Sequence, residues 1–296
     1  MTTLSALAPA KVNLFLHVGP PAADGYHPLC SLVAFADVGD VVSVTPSEGL
    51  SLEVTGPFGA ALAGEGDNLV LRALRALGKA AGIGEPPLAV TLEKALPIAA
   101  GLGGGSSDAA TALRLADRAL SLGLDEAGLA EVSRVIGADG PMCLRGRTAW
   151  AEGIGDVLTD APEMPGLPAL LVNPGVPSPT GPVYRAYDAQ GPRAADRPSA
   201  PAGWNVSAVT GWLADQRNDL EAAAIGLQPQ IGLALDRLRE TPGLKLARMS
   251  GSGATLFGLF GSIQEAQSAA AGLQARYPAW WIRPTVLGAK TGAAQD

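Results

Sequence analysis

The sequence has few of the side chains on which most metal-dependent and nucleophilic enzymes rely. Among 296 residues there are two cysteines, Cys30 and Cys143, and two histidines, His17 and His27. It contains no H-E-x-x-H, C-x-x-C or G-x-S-x-G motif. We therefore expect no built-in zinc site, redox dithiol or serine–histidine triad. Far apart in sequence, the two cysteines are expected to be free thiols packed as small apolar groups.

Basic residues and long apolar runs are also scarce. Lysine and arginine number 21 against 28 acidic residues, for a net charge of −7. Nucleic-acid binding requires a broad basic face, so no such partner is expected, although backbone amides and one lysine suffice for a small phosphorylated ligand. No apolar run reaches about 18 residues and no secretory leader opens the chain, so we expect a cytoplasmic protein without a membrane partner.

The amount and pattern of apolar sequence predict two folded units. Hydrophobic residues make up 47% of the chain, and strand-like and helix-like segments alternate in both halves. The pattern of the sequence changes after Gly153, where a segment rich in proline and glycine follows a buried-looking strand. We therefore place the division between residues 1–157 and 158–296. The proline-rich stretch 188–203 is predicted to be an exposed loop. Strands are predicted at 41–45, 50–55, 88–94, 167–172, 255–260 and 281–286, and helices at 68–81, 106–122, 129–136, 206–214, 219–224, 230–240 and 263–276.

A glycine-rich segment between a predicted strand and a predicted helix is the most informative motif. Glycines let the backbone approach a ligand closely, and a helix N-terminus attracts phosphate. A serine-capped structural turn fits the same pattern. The segment lacks the lysine of a P-loop and the third glycine of a dinucleotide fingerprint. Its candidate ligand-binding residues are Pro97, Ile98, Ala99, Ala100, Gly101, Leu102, Gly103, Gly104, Gly105, Ser106 and Ser107.

Other polar residues stand out less strongly. Lys11 and Asn13 alternate with apolar residues, which places both on one face of a strand, facing either a ligand or solvent. Asp139, in the sequence GAD, follows a predicted helix and fits either an Asx turn or a site residue. The neighbours Tyr26 and His27 can stack on and hydrogen-bond a planar ring, or be structural.

The order of these motifs is more specific than any one of them. PAKVNLFL, DGYH, PIAAGLGGGSSDAAT, GAD and MSGSGATLF follow one another in a chain that closely resembles the GHMP small-molecule kinases from about residue 8 to residue 287. PAKVNLFLHV paired with ADGYH and LVAFADVGD favours the branch that acts on the cytidine diphosphate derivative of methylerythritol. Homoserine, mevalonate and galactose relatives fit this pairing less well.

The resemblance implies both a fold and a reaction. The fold is α+β and has two domains, an N-terminal one like ribosomal protein S5 and a ferredoxin-like C-terminal one, with the site in the cleft between them. The final strand, 281–286, is a candidate to return to the first domain. The implied reaction is ATP-dependent phosphorylation of the 2-hydroxyl of the methylerythritol moiety, for non-mevalonate isoprenoid synthesis. Mg²⁺ would arrive with ATP, with Ser107 or Asp108 as candidate contacts and no metal site of the protein's own.

The resemblance also assigns roles to individual residues. Lys11 and Asp139 match the catalytic lysine and aspartate, and residues 97–107 match the ATP loop. Tyr26 and Tyr184 would sandwich the cytosine, and His27 would donate a hydrogen bond to its Watson–Crick edge. The implied substrate-binding residues are Asn13, Tyr26, His27, Tyr184, Gly251, Ser252 and Gly253. Gly140 departs from the branched residue that more usually follows GAD.

Two alternatives are left open by the sequence. The chain could be a family member that phosphorylates another small alcohol, against which the adjacent Tyr26 and His27 argue. It could also be an inactive member that only binds a ligand. Retention of Lys11, Asp139 and the complete glycine loop argues against an inactive protein.

Overall fold

A computed structural model of the protein describes residues 2–62, 68–191 and 193–288. Its strands are β1 (Leu4–Val18), β2 (Leu29–Pro46), β3 (Ser51–Thr55), β4 (Leu88–Glu93), β5 (Ala149–Glu152), β6 (Val157–Asp160), β7 (Leu167–Asn173), β8 (Leu246–Met249), β9 (Leu256–Leu259) and β10 (Trp281–Leu287). Its α-helices are α1 (Leu69–Ala80), α2 (Gly104–Leu120), α3 (Glu126–Ser133), α4 (Asp139–Arg145), α5 (Thr180–Asp188), α6 (Val206–Ala214), α7 (Glu221–Leu227), α8 (Pro229–Arg239) and α9 (Ile263–Arg276). Pro192 of the predicted loop and residues 289–296 of the predicted second domain lie outside the described ranges.

A long antiparallel hairpin organises the N-terminal half. β1 and β2 pair from Leu4 and Val44 to Val18 and Leu29, with register shifts at Pro9/Lys11 and Asn13/Phe15. β2 also pairs with β4 and β5, β3 lies parallel to β4, and β6 pairs with β5. α1 and α2 bury their apolar faces against this sheet. The apolar runs at 12–18 and 31–35 and the predicted strand at 41–45 cover only parts of β1 and β2, because polar residues interrupt the apolar pattern.

The second half has the strand order of a ferredoxin-like sheet. The order is β10-β7-β9-β8, so the four strands taken in chain order stand in the spatial order 4-1-3-2. β10 pairs with β7 along its whole length, and its ladder with β2 consists of the single pair Leu287 and Ala36. The final strand therefore belongs to the second sheet and also contacts β2, where Asp37 accepts from the Thr285 hydroxyl and the Val286 amide.

Of the three buried hydrophobic clusters that the described residues form, two contain residues from both halves. Val12 and Leu14 of β1 belong to the same buried cluster as Leu171 and Phe257 of the second sheet. The division between residues 157 and 158 stays a prediction. It falls at the start of β6, which pairs with β5 and so extends the first sheet to Asp160. In the described part of the chain, no helix is both long enough and apolar enough to cross a membrane.

Capping residues and apolar periodicity predicted the bounds of several helices well, but not those of every helix. The bounds predicted for α6 and α9 agree with the structure, and Asn68 caps α1 by accepting the amide hydrogen of Val70. Helix α5 was not among the predicted helices. A glycine and a proline stand in its first turn, where proline is tolerated because no amide donor is required, and they conceal its helical pattern.

Candidate active site

The glycine loop joins β4 to α2, and two of its glycines adopt conformations that favour glycine. Gly101 has φ +72° and Gly103 has φ +61°. A Cβ on Gly101 would overlap the carbonyl of Ser250, and a Cβ on Gly103 would lie 3.2 Å from the Cβ and Cε of Lys11. Because these positions carry no side chain, the loop passes close to both β1 and the segment at 250–253.

The helix that follows this loop begins earlier than the sequence predicted. α2 starts at Gly104, and Gly103 is its N-cap, without a side-chain capping bond. Capping α2, one of the two roles open to Ser106 and Ser107 beside donation to phosphate oxygens, is therefore excluded, because both lie within its first turn. The first amide groups of a helix have no intrahelical acceptor and carry the positive end of its dipole. Here they lie beside a cavity, and unpaired amides at such a helix start are suited to bind an anion.

Lys11 and Asp139 form an ion pair beside this loop. The Nζ of Lys11 lies 3.2 Å from each carboxylate oxygen of Asp139. Lys11 is buried on β1, and Asp139 is the first residue of α4, so the predicted turn is a helix start. A Cβ on the next residue, Gly140, would overlap the carbonyl of Ser133. Glycine at this departure from the family pattern lets α4 pack closely against α3.

Asn13 connects β1 to the glycine loop and to the second half of the chain. Its Nδ2 donates to the hydroxyl of Ser31 at 2.8 Å, and its backbone amide donates to the hydroxyl of Ser250 at 3.1 Å. The same Ser250 hydroxyl donates to the carbonyl of Gly101 at 2.9 Å. These bonds hold the glycine loop and the start of the Gly251–Gly253 segment together.

Most of the residues proposed from the sequence line one cavity of about 660 Å³. They are Lys11, Asn13, all residues from Pro97 to Ser106, Asp139, Tyr184, Gly251 and Ser252. Ser107, Tyr26, His27 and Gly253 do not line it. A second cavity, of about 620 Å³, lies between α8 and α9 and includes none of the proposed residues.

The residues proposed to bind cytosine do not all lie together. Tyr26 is 61% exposed in its turn. The ring of His27 packs against the ring of Tyr184, with centroids 4.8 Å apart and planes inclined by 51°. Burial, and secondarily the charge of Asp139, raises the pKa of Tyr184 to about 12, so its hydroxyl stays protonated. The sandwich of Tyr26 and Tyr184 around a base stays a prediction.

Sequence reasoning missed a buried charge cluster beneath the glycine loop. Lys94 at the end of β4 donates to Asp40 and, at 2.8 Å, to Asp108 of α2. The other oxygen of Asp40 accepts the amide hydrogens of Ala95 and Leu96 at 2.7 and 2.8 Å. All three charged side chains are at most 3% exposed. In the sequence, each of the three positions shows only a charged residue with apolar residues nearby. Nothing in the sequence indicates that the three side chains meet.

This cluster holds one cation between two acidic side chains. Burial raises the pKa of Asp108 to about 8, against the attraction of Lys94 and together with the repulsion of Asp40. Burial alone would lower the pKa of Lys94, but the two carboxylates outweigh it and the net shift is upward. Lys94 therefore stays charged. It lies close to the glycine loop, because a Cβ on Gly104 would lie 3.4 Å from its Nζ.

The raised pKa of Asp108 predicts a pH-dependent stability. Between its ordinary value of 3.8 and about 8, the unfolded chain loses this proton while the native state keeps it, so stability falls as pH rises. Asp108→Asn keeps the shape and removes the titration. Between pH 5 and pH 8, we expect the melting temperature of the wild type to fall by about 5 °C or more relative to that of the variant. The measurement is calorimetry, with the exposed Asp236→Asn as control. Parallel wild-type and Asp108→Asn curves would show that Asp108 is ionised throughout.

Comparison with known proteins identifies the class. The family described as "GHMP kinases N terminal domain" matches residues 68–147, and the one described as "GHMP kinases C terminal" matches residues 210–279. The chain belongs to the GHMP kinase family. These kinases are phosphotransferases, and ATP use follows from membership. The two-domain α+β fold predicted from the sequence is confirmed.

Individual relatives narrow the comparison further. The chain is 52% identical over 283 residues to the 4-diphosphocytidyl-2-C-methyl-D-erythritol kinase of Caulobacter vibrioides strain NA1000, covering 95% of this chain and 98% of the relative. It is 47% identical to the enzyme of the same name from Hyphomonas neptunium, with 97% of each covered. A solved 4-(cytidine 5'-diphospho)-2C-methyl-D-erythritol kinase matches with a TM-score of 0.77 and 36% identity, covering 96% of this chain and 99% of that one. A homoserine kinase from Cytophaga hutchinsonii, at 18% identity and a TM-score of 0.67, shares the fold.

Proposed function

We propose that this protein transfers the γ-phosphoryl group of ATP to the 2-hydroxyl of 4-diphosphocytidyl-2-C-methyl-D-erythritol, a reaction of non-mevalonate isoprenoid synthesis. One observation carries the proposal: the ion pair of Lys11 and Asp139 and the glycine loop share a single cavity. The choice of acceptor alcohol is supported by relatives that are named for this reaction and match nearly the full chain.

The glycine loop holds the phosphates of ATP. Phosphoryl transfer depends mainly on positioning and charge neutralisation. The amides at the start of α2 donate to phosphate oxygens, and the glycines allow the chain to approach them closely. Lys94 lies beneath the loop among the residues that line the cavity, where Asp40 and Asp108 offset its charge and hold it in place.

Asp139 and Lys11 act on the attacking hydroxyl. The carboxylate of Asp139 accepts the proton of the acceptor alcohol as its oxygen attacks the γ-phosphorus. The ammonium of Lys11 neutralises the carboxylate and stabilises negative charge on the reacting oxygens. Its own position is held by the ion pair and by its backbone amide, which donates to the carbonyl of Leu102 at 2.8 Å.

The residues around the cavity fit a magnesium ion that is bound mainly by ATP. No group of three or more histidine, cysteine or acidic side chains is arranged to hold a metal within the described residues. Asp108 bonds Lys94 and does not line the cavity. Phosphates and water would supply most of the ligands, with Ser106 at the cavity as a further oxygen. When bound, the ion would neutralise phosphate charge.

The cytidine moiety is assigned to the side of the cavity formed by α5. Tyr184 lines the cavity and contacts the ring of His27. Stacking of a base on an aromatic ring contributes about 1–3 kcal/mol. This assignment places the base at α5 and the reacting hydroxyl at Asp139, both on the one cavity that Tyr184 and Asp139 share.

Kinetics with a panel of acceptor alcohols tests the proposal. Purified protein is supplied with ATP, Mg²⁺ and one of 4-diphosphocytidyl-2-C-methyl-D-erythritol, homoserine, mevalonate or galactose. We expect the first to have a kcat/KM at least about 10²-fold above the others, because a site built on hydrogen bonds rejects substrates that leave them unmade. Phosphorus NMR identifies the product. A preference for another alcohol, or no ATP consumption with any of the four, would overturn the proposal.

A further inference from the structure

The carboxylate of Asp188 is bound to the imidazole of His27 at the edge of the proposed base site. The Oδ1 of Asp188 lies 2.7 Å from the Nε2 of His27. The His27 side chain is 9% exposed and that of Asp188 is 34% exposed. Asp188 ends α5, one turn after Tyr184, whose ring lies against His27. One short helix therefore brings an aromatic ring and a carboxylate to the same histidine.

The bond assigns the protons of the imidazole ring. An ionised carboxylate only accepts hydrogen bonds, so Nε2 carries the proton that it donates to Asp188. A neutral imidazole has a single N–H, which leaves Nδ1 as an acceptor. Within residues 2–62, 68–191 and 193–288, Nδ1 has no hydrogen-bond partner. A neutral His27 that donates to Asp188 from Nε2 therefore offers a base only an acceptor, Nδ1.

The position of Asp188 at the end of a helix supports its role as the hydrogen-bond acceptor of His27. A negative charge at the C-terminal end of a helix is disfavoured by the helix dipole. The Arg185 side chain on the same helix has no ion pair with Asp188 in the described part of the chain, whereas His27 forms a hydrogen bond with it. The hydrogen bond to His27 therefore stabilises the Asp188 carboxylate at a helix end where the dipole disfavours a negative charge.

We propose that Asp188 is a positioning residue that sets the base preference of the site. It holds His27 as the Nε2–H tautomer, so that Nδ1 accepts a hydrogen bond from an exocyclic amino group of the ligand's base. Cytosine presents such an amino group at C4, whereas uracil presents a carbonyl oxygen there. Two acceptors would then face each other and lose a hydrogen bond in a partly buried place. This inference rests on the proposed function for the identity of the base.

The tautomer is tested directly by NMR on the free protein. With only two histidines in the chain, a ¹⁵N-labelled sample has two imidazole spin systems, and His27→Gln identifies that of His27 by its loss. At pH 8.5, where histidine is ordinarily neutral, we expect a protonated Nε2 and an unprotonated Nδ1. Asp188→Ala should replace this pattern with an average of the two tautomers. Asp188→Asn should retain it, because an amide oxygen also accepts from Nε2. An imidazolium or an Nδ1–H tautomer in the wild type would overturn the proposal.

The base preference is measured separately, by binding and by turnover. Calorimetry with cytidine diphosphate and uridine diphosphate gives a ratio of dissociation constants that requires no catalysis. We expect the wild type to prefer cytidine by about 10²-fold. Asp188→Ala should reduce this preference at least about tenfold, which is the loss of about 1.4 kcal/mol. Asp188→Asn should preserve it. Asp215→Ala, which removes an exposed carboxylate at the end of α6, is the matched control.

The outcomes separate this inference from the proposed function. If wild-type protein phosphorylates the cytidine substrate and Asp188→Ala keeps the full base preference, the inference is wrong and the function stands. If another alcohol is the substrate but cytidine diphosphate is still preferred through Asp188, the function is wrong and the inference stands. Equal binding of both nucleotides by the wild type contradicts the inference.

Discussion

Asp139→Asn is expected to lower kcat by about 10²–10⁴-fold while the KM values for ATP and the acceptor alcohol change little. The amide cannot accept the proton of the attacking hydroxyl, and loss of a positioned base has costs of this size. The amide keeps the shape of the carboxylate at the start of α4, so the melting temperature should remain near that of the wild type. Steady-state kinetics with both substrates varied is the measurement. A kcat within about threefold of wild type would exclude Asp139 as the base.

Lys11→Met tests the second member of the pair. Methionine keeps most of the buried apolar stem and removes the ammonium that lies 3.2 Å from both oxygens of Asp139. We expect kcat to fall by a factor similar to that of Asp139→Asn, and the double variant to lose far less than the product of the two effects, since the groups act as a unit. Lys79→Met, an exposed lysine of α1, controls for the loss of a positive charge. Additive losses would show that the two residues act independently.

Gly103→Ala is expected to weaken ATP binding and to lower kcat/KM by at least about tenfold, a change equivalent to about 1.4 kcal/mol. The residue has φ +61°, and the added Cβ would press on the stem of Lys11 at 3.2 Å. The loop must then move away from β1 and take its amides out of position for the phosphates. Calorimetry with ATP and steady-state kinetics report the two effects.

The matched control for this change is Gly123→Ala. Gly123 has φ +72°, and a Cβ there would meet nothing within 4 Å. Both substitutions carry a similar backbone penalty of about 1–3 kcal/mol in stability, so a loss of ATP affinity confined to Gly103→Ala comes from the place of Gly103 in the loop and not from backbone strain alone. If both variants retain wild-type ATP affinity, the loop is a structural turn. By contrast, Gly104 has no positive φ, and a Cβ there would face Lys94 and Asp40, beneath the loop, so its substitution tests the buried cluster as much as the phosphate site.

Features with short-range causes could be predicted from the sequence. Helices α1, α6 and α9 follow from apolar periodicity and from capping residues, because both signals lie within a few positions of the helix they define. The glycine loop was recognised from the absence of side chains, and Lys11 and Asp139 from the order of motifs. The burial of Cys30 and Cys143 as free thiols also agrees with the expectation.

Other features depend on segments that meet only when the chain folds. The charges of Asp40, Lys94 and Asp108 are separated by up to 68 positions in sequence (108 − 40), and no local pattern shows that they form one buried cluster. The same holds for Asp188, which reaches His27 from 161 positions away. A Cβ on Gly140 would overlap the carbonyl of Ser133 on the preceding helix, a contact that no local pattern shows. Local sequence therefore determines where helices and glycine turns form, since their hydrogen bonds are short-range. Which charges share a low-dielectric interior, and which nitrogen of a histidine is left to a ligand, depends on long-range packing.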